Sequence, residues 1–60
     1  VTTDDIGEVI VELVRNGPYL KCSAIHVATG LEASAVGPVA EPKGLERIAI
    51  AKLRRALASR

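Results

Sequence analysis

Residues 14–22, "VRNGPYLKC", decide how the first half of the chain folds. An Asn-Gly step between apolar runs is a strong hairpin signal, because a type I′ turn needs positive φ at both central residues. Pro18 follows at once and complicates it. A two-residue turn at Asn16-Gly17 needs the next residue to donate its N–H back to Arg15, and proline has none. The expectation is a hairpin with a wider loop of about three to five residues. Pro18 then opens the next strand, where it needs no ladder partner. Gly17-Pro18 is not a phosphate cradle either, since neither G-x-G-x-x-G nor G-x-x-x-x-G-K-[ST] occurs in the sequence.

Working outward, Val9, Val11 and Leu13 alternate with Ile10, Glu12 and Val14, a β-branched run of period two that predicts a strand over residues 7–15. "YLKCSAIHVA" predicts a second strand, with Leu20, Cys22, Ala24 and His26 on one face and Tyr19, Lys21, Ser23, Ile25 and Val27 on the other. In "ATGLE", Gly30 suits the left-handed position of a type I turn with a bulge. A third, weaker strand is expected over Leu31–Val36, because Ala and Ser have little β preference. "GPVAEPKG" breaks the pattern, so residues 37–42 are expected as a loop.

Residues 43–59 then carry helical periodicity. Pro42 suits a helix start, and Glu41 lies favourably near the positive end of the dipole. Leu45, Ala49, Leu53, Ala56 and Leu57 fall within about 120° of arc, one apolar stripe. Residues 1–6 are polar and unpatterned, and a frayed start is expected there. The fold class is α+β: one small domain spanning residues 1–60, with a three-stranded antiparallel meander over 7–36 and a helix on one sheet face, in the order β-β-β-α.

Sixty residues allow one domain and a thin core. A chain of this size buries only roughly 60% of its unfolded surface, so small domains lean on disulfides, metals or partners. Cys22 is the only cysteine, which excludes an internal disulfide and suits a reducing, cytoplasmic setting. Cys22 and His26 are the only soft ligands, so neither a metal nor another cofactor is expected. Tyr19 is the only aromatic residue, and a core of small aliphatics buries less area per residue. No apolar run approaches the ~18 residues of a membrane span, so no membrane association is expected.

Apolar surface is in surplus. Val9, Val11 and Leu13, with Leu20, Cys22 and Ala24, supply the sheet face that the helix needs. The opposite face still offers Ile10, Val14, Tyr19, Ile25 and Val27, while Ile48 and Ile50 stand about 200° apart around the helix. Contiguous apolar surface marks an interaction site. A homodimer, or association with another protein, is therefore expected, with Ile10, Ile25, Val27, Ile48 and Ile50 as contacts.

Candidate chemistry is sparse. Cys22 and His26 have nucleophile–base identities, yet four residues apart on a strand they are separated by roughly 13 Å. Cys22 is expected as a small core residue and His26 as a rim residue near Glu32, with no catalytic site and no enzymatic activity. Asp4, Asp5 and Glu8 are expected as solvated charge, since a hard cation wants about six or more oxygens in a shaped loop. Charge is unevenly placed. Residues 1–30 carry Asp4, Asp5, Glu8 and Glu12 against Arg15 and Lys21, and most basic groups lie in the helix. Lys43, Arg47 and Arg54 share about 40° of arc there, a basic flank that makes nucleic-acid binding the alternative function. Against it stand the near-neutral net charge of +1 and the lack of stacking aromatics.

The run "GPYLKCSAIHVATGLEASAVGP" followed by "LERIAIAKLRRAL" resembles a family of short bacterial proteins of unknown function, chiefly alphaproteobacterial and of much this length. Tyr19, Ala24-Ile25, Thr29-Gly30 with Glu32, Gly37-Pro38, and Ala51-Lys52-Leu53 with Leu57 carry the likeness. In the family pattern an acidic residue commonly stands where this chain has His26. Some proteins resembling it bear the name serine hydroxymethyltransferase. A pyridoxal-phosphate enzyme needs a cofactor cavity, a Schiff-base lysine and phosphate donors. Sixty residues with Lys21, Lys43 and Lys52 in strand or helix patterns do not build one, and that name is set aside.

Overall fold

The computed structural model describes residues 2–59. Five elements follow one another: β1 (Thr2–Thr3), β2 (Gly7–Asn16), β3 (Tyr19–His26), β4 (Glu32–Pro38) and α1 (Pro42–Ala58). The sheet order is β1-β2-β3-β4 with every neighbouring pair antiparallel. The long strands form the expected meander, and one C-terminal helix packs on it. Thr2–Thr3, in the segment read from sequence as a frayed start, add a short strand that pairs with Gly7 and Glu8. The Ile6 N–H donates to the Thr3 carbonyl at 3.1 Å, and Gly7 takes φ 89°, so a tight turn carries the chain into β2.

The β2–β3 hairpin is tighter than the sequence suggested. Asn16 pairs with Tyr19, which leaves a two-residue loop of Gly17 and Pro18. The turn has moved one residue along from the Asn-Gly step. Gly17 adopts φ 63°, as the first central position of a type II′ turn requires. Pro18, with φ fixed near −65°, fits the second. The N–H that closes the turn belongs to Tyr19, so proline's missing donor costs nothing. Arg15 Nε adds a hydrogen bond to the Gly17 carbonyl at 3.0 Å.

The β3–β4 connection holds Gly30 in the expected left-handed conformation, at φ 76°. The Gly30 N–H donates to the His26 carbonyl at 2.7 Å, and the His26 N–H donates to that of Leu31 at 2.8 Å. β4 runs on through Gly37 and Pro38, which were expected in the loop. The Val39 N–H donates to the Pro18 carbonyl at 3.1 Å, so alternation turns the backbone of Pro38 toward the open sheet edge, where proline is tolerated. Gly37 pairs with Leu20 in the ladder, and its missing side chain leaves room for Leu45 to pack directly above it.

The helix begins one residue earlier than the pattern indicated, with Pro42 in its first turn, and lies over β3 and β4. Leu45, Ala49 and Leu53 are buried against Leu20, Cys22, Ala24 and Ala35, and Val9 closes the core from β2. A helix about 10 Å wide spans roughly two strands at ~4.8 Å spacing. Coverage therefore fails beyond β3. Val11 is only half-buried and Leu13, assigned to the core from its alternation, is 49% exposed.

Candidate functional site

β3 places Cys22 and His26 on the helix-facing side of the sheet, and each has its own surroundings. Cys22 is fully buried in the core as a free thiol. Burial, with a smaller contribution from the nearby Glu46 carboxylate, pushes its pKa above the ordinary thiol value of 9.0. A thiol held protonated is a poor nucleophile.

His26 is not a rim residue, being only 6% exposed. Its Nδ1 lies 2.7 Å from Thr29 Oγ1, and its Nε2 lies 2.7 Å from the Ile6 carbonyl oxygen. The Leu31 N–H also donates to Thr29 Oγ1, at 3.2 Å. A carbonyl only accepts, so Nε2 carries a proton and donates to Ile6, and in the neutral ring Nδ1 accepts from the Thr29 hydroxyl. The expected neighbour Glu32 takes no part in this chain of bonds. Every polar atom of the network is used in joining the turn before β2 to the turn after β3, which is why an imidazole sits in an apolar layer.

The acidic N-terminal residues do not converge on a common point. Asp5 pairs with Arg54 Nη2 at 3.1 Å, an exposed ion pair worth only about 0–1 kcal/mol. Asp4 and Glu8 are exposed. Lys43, Arg47 and Arg54 do converge: with Thr3, Glu46 and Ile50 they line a groove of about 470 Å³ between the N-terminal strand and one flank of the helix.

The apolar contacts read from sequence fall on three separate surfaces. Ile10 and Ile25 are cross-strand partners on the sheet face that the helix leaves uncovered, and Val27 follows just beyond them, its N–H donating to the Glu8 carbonyl at 3.2 Å. The same face presents Val14, Tyr19 and Val36, which with Asn16 and Lys21 line a depression of about 300 Å³. Ile50 lines the basic groove on one helix flank and packs half-buried on the core. Ile48 stands on the opposite flank and is 49% exposed.

One surface was not found from sequence. Strand pairing covers one edge of β4 and leaves the other open among the described residues. Because the His26–Leu31 and Val39–Pro18 bonds direct the odd-numbered backbone groups inward, those of Glu32, Ser34 and Val36 point out of the sheet. Lys52 Nζ donates to the Ser34 carbonyl at 3.1 Å, which confirms that orientation and sets the Ile48–Lys52 flank of the helix above this edge. Val36, on the edge itself, is 63% exposed. The only signal in the sequence was the weak third strand, whose register no pattern fixed.

No curated protein and no solved structure compared with this chain matches it. The family described as Domain of unknown function (DUF6898) matches residues 6–60, nearly the whole length, and the chain belongs to that family.

Proposed function

We propose that this chain is a small non-enzymatic association module that pairs with a second copy of itself. The observation that carries the reading is the exposed set Ile10, Leu13, Val14, Tyr19, Val27, Val36 and Ile48 in a domain of this size. Burying a side chain of this kind is worth roughly 1.5–3 kcal/mol. The core itself has no aromatic residue, and three of its eight members are alanines. Association supplies part of the burial that one sheet and one helix leave undone. The protonated thiol of Cys22 and the fully engaged imidazole of His26 support a non-enzymatic role, and the free cysteine suits a reducing compartment such as the cytoplasm. Light scattering on a size-exclusion column at micromolar loading tests the reading. Twice the chain mass supports it, and a single-chain mass at every loading contradicts it.

The clustering of Lys43, Arg47 and Arg54 along one groove favours nucleic-acid binding as a second reading. Glu46 in the same groove and the Asp5–Arg54 pair offset part of that positive charge. Titration of labelled single- and double-stranded oligonucleotides at low salt separates the two readings. Phosphate contacts would make any affinity fall steeply as salt rises.

A further inference from the structure

The open edge of β4 and the helix flank above it identify where the second copy sits. We infer that two chains join β4 to β4 about a two-fold axis, making one continuous antiparallel sheet with the two helices side by side on the same face. The inference rests on the association reading and adds one surface to it: of the exposed set it covers Ile48 and flanks Val36, while Leu13 and the sheet face of Ile10, Val14, Tyr19 and Val27 stay open.

The edge is self-complementary. Glu32, Ser34 and Val36 direct their backbone donors and acceptors outward. With the axis at Ala35, Ser34 of one chain exchanges both amide bonds with Val36 of the second copy, and the axis repeats the exchange. An isologous contact of this kind closes at two chains. Exposed, unpaired edges of this sort are templates for strand addition.

The edge of β2 beyond its short pairing with β1 would also accept a strand, and helix spacing decides between the two. The helix lies over β3 and β4. With strands about 4.8 Å apart, joining at β4 brings the helix axes within about 10 Å. That matches the roughly 8–10 Å of packed helices. Joining at β2 would hold them about 19 Å apart, out of contact.

The facing flanks are complementary as well. Ile48 lies at the centre, and Glu41 and Arg55 stand seven residues to either side on the same flank. In an antiparallel pair centred on Ile48, each Glu41 meets Arg55 of the second copy, while the two exposed isoleucines cover each other. Lys52, opposite Gly44 of the second copy, releases the Ser34 carbonyl when the strands meet. In the single chain, its hydrogen bond masks one acceptor on an edge that is otherwise bare.

Amide hydrogen exchange of the full chain, read by NMR at low and high protein concentration alongside sedimentation, tests this. The Ser34 and Val36 amides are expected to exchange at least tenfold more slowly once the chain is dimeric. Ser34→Pro removes an outward N–H without touching the β3 ladder, and Ile48→Glu alters only the exposed helix flank. Each is expected to weaken association at least tenfold, and the helix variant serves should the proline variant not fold. A dimer whose Ser34 and Val36 amides exchange as fast as in dilute solution overturns the inference: the edge is then left for a strand of another protein or for none, while association itself stands. A chain monomeric at all concentrations overturns both.

Discussion

Leu45 sits so close over Gly37 that a Cβ added to the glycine would stand 2.7 Å from the Leu45 Cδ2. The first turn of the helix is seated on β4 at this point, and Leu45 is buried there. Gly37→Ala therefore forces a core leucine off its packing position. Overpacking of this kind costs about 1–3 kcal/mol. Urea denaturation is expected to show the midpoint falling with little change in slope. An unchanged midpoint would mean that Leu45 swings aside freely.

His26 joins two turns through Ile6 and Thr29. His26→Ala leaves a half-buried carbonyl and an exposed hydroxyl without their partner, at a cost of about 1 kcal/mol. Thr29→Val breaks the same chain of bonds from its other end. The two residues are in contact, so their effects are expected to couple by about 0.5–3 kcal/mol in a double-mutant cycle. Strict additivity would show that the hydrogen bonds contribute nothing jointly.

The raised pKa of Cys22 gives stability a dependence on alkaline pH. In the unfolded chain the thiol ionises near its ordinary value of 9.0, while in the fold it stays protonated to higher pH. The folded state then binds more protons, and stability falls as pH rises through that value. Below it both states are protonated and Cys22 makes no contribution to the slope. Cys22→Ala is expected to flatten the decline between wild-type curves measured at neutral pH and above pH 9.0. An equal decline in both proteins would assign it to other groups.

Leucines 13 and 53 have opposite fates, although the sequence pattern gave both to the core. Leu53 is fully buried, and Leu53→Ala is expected to cost about 2–5 kcal/mol. Leu13 lies beyond the reach of the helix, and Leu13→Gln is expected to shift stability by less than about 0.5 kcal/mol. Thermal melts of the two variants check the contrast. A large loss at Leu13 would place it under cover that the single chain does not provide.

That pair marks how far local pattern carries. Period two in residues 7–15 and helical period in residues 43–59 are properties of each segment alone, and the elements appear where those periods lie. Which strands the helix covers depends on the register of β4, and a run of Ala and Ser gives that register no signature. For the same reason the open edge with Val36 stayed hidden, while Ile10 and Ile25 were legible from alternation. Pro18 misled differently. Its missing N–H counts against an Asn16-Gly17 turn, but a turn one residue later never needs that donor. His26 was placed on a rim because nothing in the sequence shows that the Ile6 carbonyl would come to meet it.

Sedimentation equilibrium of the unmodified chain, from about one micromolar to one millimolar, tests the central claim most directly. A mass that climbs with concentration from one chain to a plateau at two is the predicted result. A single-chain mass across the whole range would contradict it, since the exposed aliphatic side chains would then be stable in water with nothing to cover them.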